Sequence, residues 1–194
     1  MTARAAEIRR FIGWAQAHLP GLHGAAADVV ADEVCEHLLT IDRQLGVEVD
    51  EPVDGDRALT ITAFSDPRRV LLVHRIVAAL SAIEGWHVVA LKQPTGFACS
   101  IEHAATVIDA AALRFEPIAG LHGGFRLLVP AGLPVPDGAD GEELAWLIVE
   151  SGIGEELAAR IQHLEFGAMP GVGVASPIAS LDAYVRALSS SMHD

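Results

Sequence analysis

The 194-residue chain has little of what defines several protein classes. It holds two cysteines, Cys35 and Cys99, which is too few for the disulfide framework of a small secreted domain and leaves no Cys-x-x-Cys pair. It has a single lysine, Lys92, outside any Gly-x-x-x-x-Gly-Lys-Ser/Thr loop, which excludes P-loop phosphate chemistry. No apolar run reaches the ~18 residues a bilayer-crossing helix needs; the uncharged stretch from Phe166 to Leu181 is interrupted by Gly167, Pro170, Gly171, Gly173 and Pro177. Arg9 and Arg10 precede Phe11 and Ile12 as in a targeting signal, but Gln16 and His18 break the apolar stretch, so a cytoplasmic location is expected. No Gly-x-Ser-x-Gly elbow is present, and Gly152 and Gly154 lack the third glycine and the preceding strand of a dinucleotide fingerprint.

What the chain has in excess is acid. Thirteen basic residues face 26 acidic ones, for a net charge of −13. Residues 28–56 hold ten acids and only Arg43, and residues 137–156 hold seven acids and no base. Sequence-independent nucleic-acid binding depends on Lys and Arg clusters that release phosphate counterions, so that class is disfavoured, as is an anionic membrane surface. An acidic face attracts a basic protein partner; the plainer reading is a solvated face that keeps the protein soluble. A homodimer is left open.

With 51% hydrophobic residues the chain can build a core without disulfide or metal, and its length predicts a single globular domain over 1–194. Within it, a helical pair over 1–44 precedes an α+β body over 45–194. Ile8, Phe11, Ile12, Ala15 and Leu19 recur at helical spacing, predicting a helix over about 3–18 that Pro20 and Gly21 stop. Val30, Val34, Leu38 and Ile41 form the stripe of a second helix over about 25–44. Leu59, Ile61 and Ala63 alternate with Thr60 and Thr62 as a half-buried strand requires. Asp66 and Pro67 then cap a helix whose apolar face is Val70, Val73, Ile76, Val77, Leu80 and Ile83, and Trp86 to Lys92 reads as the next strand. Further on, a strand is expected near 97–101, a capped turn at Asp109 to Leu113, and a strand over 124–129. A helix over 141–151 ended by Gly152 and Gly154, a strand around Gln162 to Phe166, a Gly and Pro loop over 167–177 and a last helix over 178–189 complete the reading. With helices gathered towards the two ends, this is an α+β fold with a mixed or antiparallel sheet packed against helices.

Candidate sites are sparse. Arg68 and Arg69 stand in the first turn of a helix, where the macrodipole already favours an anion, so something negative is expected beside them: Asp66 itself, or a carboxylate or phosphate of a ligand. Glu33 and His37 offer half a metal site at i and i+4, and Glu84 and His87 straddle Gly85, so no metal and no cofactor is expected. His87 shares strand parity with Val89 and Leu91 and reads as a core histidine, and Cys99 as a small buried hydrophobe. A ligand site assembled from scattered residues would draw on Arg68, Arg69, His87, Asp109 and Glu155.

The run Leu59 to Phe64, Asp66-Pro67, the apolar helix, Gly85-Trp86 and Val88 to Pro94, followed by Asp109, Leu113 to Phe115 and Gly154-Glu155 before Arg160 and Ile161, resembles a widespread bacterial family of uncharacterised proteins, a domain of unknown function. The similarity spans roughly residues 57–185, and one lysine against twelve arginines and 32 alanines fits a GC-rich bacterial genome. The resemblance implies a single domain and brings no activity, cofactor or catalytic residue. Two readings follow: a non-catalytic cytoplasmic binding or interaction protein with acidic surface segments, or a small-molecule enzyme or sensor.

Overall fold

A computed structural model describes residues 3–190 apart from 53–54, 81, 104–105 and 170–174. The fold is α+β and opens with a helical pair. The chain divides into two compact units, Met1–Lys92 and Gln93–Asp194.

In the first unit the helical pair, α1 (Ala3–Leu22) and α2 (Ala27–Ile41), shares one core with a three-stranded sheet. All four residues of the expected α2 stripe, Val30, Val34, Leu38 and Ile41, are buried, while Asp28, Asp32, Glu33 and Glu36 are exposed. α1 does not stop at Pro20. Proline removes one helical donor, but the last turn still buries Leu19 and packs Leu22 on the core, and this burial carries the helix past it. The Leu19 carbonyl, left at a helix end, accepts the Trp86 indole N–H at 2.8 Å.

The sheet is mixed: β1 (Gly46–Val49) runs antiparallel to β2 (Arg57–Thr62), and β2 runs parallel to β3 (Trp86–Ala90) through α3 (Pro67–Ala79). Leu59, Ile61 and Ala63 are buried as alternation requires. On α3 the fully buried positions are Val73 and Ile76, with Val70 and Val77 half-buried. His87 is exposed and is not a core histidine. The inward parity of β3 belongs to buried Trp86, and Leu91 reaches the core because its φ of 63° takes the chain out of strand alternation.

The second unit begins with a hairpin, β4 (Ser100–His103) and β5 (Thr106–Asp109), and the expected turn follows as a 3-10 segment, Ala110–Ala112. A four-stranded sheet in the order β8-β7-β6-β9 is built from β6 (Arg114–Pro117), β7 (Gly124–Val129), β8 (His163–Ala168) and β9 (Ser176–Pro177). β6 and β7 are antiparallel, and β7 and β8 parallel through α4 (Gly138–Ile153) and α5 (Glu155–Ala158). Phe115, Phe125, Leu127 and Val129 form the core with Leu144, Ala145, Ile148 and Val149 of α4 and with Leu181 and Val185 of α6 (Leu181–Ser190). α4 is longer than expected at both ends. Gly152 does not break it; the Phe97 ring fills the space where a Cβ would stand, so glycine serves a close approach there. The helix ends at Gly154, whose φ of 80° suits a glycine cap. Of the expected loop over 167–177, residues 170–174 lie outside the described residues.

Candidate functional site

The turn into α3 realises the expected cap. Asp66 accepts the Arg68 backbone N–H at 3.0 Å, and Pro67 occupies the first helical turn. The same carboxylate takes the Arg68 guanidinium in two bonds, Nε at 2.9 Å and Nη2 at 2.7 Å, and is also paired with Arg69 Nη1. Arg69 reaches back through Nε to Asp42 at 3.1 Å, and Arg4 meets Asp42 at 3.2 Å. The negative groups beside the two arginines are therefore two carboxylates of the chain itself. Burial works to raise the Asp42 pKa, but the Arg69 hydrogen bond, the Gln44 backbone N–H and the charges of Arg69 and Arg4 together hold it below the usual carboxylate value. Two residues just ahead of the cap, Phe64 and Ser65, have φ of 50° and 54°, and the Phe64 ring lies over Gly46 where a Cβ would clash.

His87 does not join this cluster. It pairs with Ala58 near the start of the parallel strands, whereas α3 begins beyond their other end. Asp109, in the second unit, is exposed and caps the 3-10 segment through the Ala111 N–H at 3.0 Å. Glu155 is completely buried at the start of α5. The five scattered candidates thus fall in two units, Arg68, Arg69 and His87 in the first and Asp109 and Glu155 in the second, and Arg68 and Arg69 share the Asp66 carboxylate.

The second unit holds an arrangement that sequence spacing missed. Register places Glu116, Arg126 and Glu165 side by side across β6, β7 and β8, and Arg126 bridges the two carboxylates at 3.1 Å and 2.6 Å. The Arg126 hydrogen bond, with a weaker one from His163 at 3.4 Å, holds the Glu165 carboxyl below its usual pKa. Each residue sits on its strand at a parity the sequence displays, but which strands are neighbours is invisible there. Beside Glu165 opens a cleft of about 330 Å³ between residues 135–142 and β8. Val135, Pro136, Leu164 and Phe166 give it an apolar lining, and Asp137, Glu142, His163 and Glu165 add polar groups.

Other chemistry is accounted for by packing. His37 lies against the Trp14 ring, centroids 4.0 Å apart, and the half-buried Cys99 thiol points to the Gly96 carbonyl at 3.9 Å. Among the described residues no three His, Cys, Asp or Glu side chains converge as metal ligands, and no helix is long and apolar enough to cross a membrane.

The two acidic segments differ in how much charge they present. In the first, Asp42 is consumed by arginines and Glu48 by Lys92 at 2.8 Å, but Asp28, Asp32, Glu33, Glu36, Asp50, Glu51 and Asp56 are exposed and form no ion pair among the described residues. In the second, Glu150 and Glu155 are buried while Asp137, Asp140, Glu142 and Glu143 are exposed around the start of α4. No family model, no curated protein and no solved structure matches the chain.

Proposed function

We propose that the chain is a non-catalytic cytoplasmic binding protein whose acidic faces receive a basic protein partner. The observation that carries this reading is the exposed row of carboxylates on α2, Asp28, Asp32, Glu33 and Glu36, which form no ion pair among the described residues and are set on a helix whose opposite stripe is fully buried and therefore fixed in place. Charges held on a rigid element steer association and reject like-charged partners at little ordering cost. Nucleic acid and anionic membrane are the wrong sign for such a face. Pairing with a second copy sets one acidic face against another, which disfavours the homodimer.

The test is capture from bacterial lysate at low and high salt. The native chain is compared with Asp32→Asn/Glu33→Gln/Glu36→Gln and with Glu142→Gln/Glu143→Gln, all at exposed positions. Neutralising the operative face is expected to lose specific proteins that the native chain holds at low salt. Recovery of the same proteins by all three chains at both salts contradicts the proposal.

A second reading, a small-molecule site, has the cleft beside β8 in its favour. Its 330 Å³ lies at the low end of the roughly 300–1,000 Å³ of ligand pockets, and polar groups converge on it. A thermal-shift screen separates the two, since a specific small ligand raises the apparent melting temperature.

A further inference from the structure

We infer that the cleft between residues 135–142 and β8 is a docking groove for an extended basic segment of a partner protein, which adds to the free edge of β8 and lays an Arg or Lys side chain beside Asp137 and Glu142. The inference rests on the binding-protein reading above and gives the second acidic segment a role of its own within it. Its first support is topological. β8 ends the sheet order β8-β7-β6-β9, so among the described residues no strand pairs with its outer edge, and every second backbone N–H and C=O along such an edge is available to an added strand. Four consecutive residues of that edge strand, His163 to Phe166, line the groove, and Val135, Pro136, Leu164 and Phe166 give it the apolar surface that an aliphatic side-chain stem covers.

Charge selects the occupant. Glu165 is already shared with Arg126 and His163, so the unmatched charge comes from Asp137 and Glu142, with Asp140 and Glu143 exposed nearby. The start of α4 contributes about half a positive charge through its macrodipole, which the four carboxylates outweigh. A second copy of a chain with net charge −13 is a poor occupant, and a basic segment a good one. The volume of about 330 Å³ is enough to take one long side chain.

The experiment titrates the full ¹⁵N-labelled chain with the capped peptide Thr-Val-Arg-Val-Thr, with its counterpart carrying Glu in place of Arg, and with N-acetyl-arginine amide. The expected result is amide shifts over 163–168 with the Arg peptide, none with the Glu peptide, and weaker binding of the single amino-acid amide. Asp137→Asn/Glu142→Gln, checked for an unchanged melting temperature, is expected to weaken the Arg peptide at least about five-fold at low salt. Shifts confined to other regions, equal affinity for the amide, or an unaffected double variant overturns the inference. If capture by the native chain still depends on the α2 carboxylates, such a result removes the groove and leaves the broader reading standing.

Discussion

Arg57 shows how much one side chain can hold. Although it is a cation with 1% exposure, it has no carboxylate partner among the described residues; it donates from Nη1 to the carbonyls of Ala25 at 2.7 Å and His23 at 3.1 Å, and from Nε to that of Asp50 at 3.2 Å. Its guanidinium carbon lies 5.2 Å from the centre of the Trp86 ring, so the π face takes part of its charge. It ties the α1–α2 connection to the segment between β1 and β2. Arg57→Met leaves these carbonyls without their donor and is expected to cost about 2–4 kcal/mol in urea unfolding. A loss under about 0.5 kcal/mol shows that water replaces the guanidinium without penalty. Gly152→Ala must displace the Phe97 ring, and an overpacked helix contact of that kind costs about 1–3 kcal/mol. The carboxylates of Asp42, Glu165 and Asp182 add a pH dependence, since arginine hydrogen bonds hold each below its unfolded pKa. A depressed folded pKa contributes stability that is present above the unfolded value, near 4, and is lost as pH falls through the folded one. Urea midpoints are therefore expected to fall below pH ~4, and Glu165→Gln to fall less than the native chain over that range.

At the scale of elements, α3 carries the clearest energetic prediction. Ile76 is fully buried and Val77 half-buried, so Ile76→Ala is expected to cost about 2–4 kcal/mol and Val77→Ala about 1 kcal/mol. Equal losses contradict the orientation of the helix. The same helix shows what periodicity reveals and where it fails. The α2 stripe, the Asp66-Pro67 start of α3, the Asp109 cap and strand 124–129 were legible because each is a local pattern of residue type. β5 and β6 were not, being four residues each, with exposed Val107 and with Pro117 at a strand end. Parity counted through Leu91 places His87 in the core, but the left-handed conformation of Leu91 resets the alternation there and His87 is exposed. The Glu116, Arg126 and Glu165 row and the groove beside β8 depend on which strands pair, and pairing over 39 residues, as between Arg126 and Glu165, leaves no spacing signal. The anion expected beside Arg68 and Arg69 is supplied by the chain, as the carboxylates of Asp66 and Asp42.

For the whole molecule, charge is the property that separates binding from mere solubility. A solvating surface is indifferent to which carboxylates are neutralised, whereas a recognition face concentrates its effect on a few. Exposed acids without ion-pair partners among the described residues gather on α2 and around the start of α4, while Glu150 and Glu155 of the second acidic run are buried and contribute little to a surface field. The most direct measurement is the association rate of a partner recovered by capture, followed by stopped flow across ionic strength. As the Debye length shrinks from about 30 Å at 0.01 M to about 8 Å at 0.15 M, the rate with the native chain is predicted to fall at least about ten-fold, and the chain carrying Asp32→Asn/Glu33→Gln/Glu36→Gln to start lower and fall less. A rate that is the same for both chains and flat with salt contradicts an electrostatic recognition face.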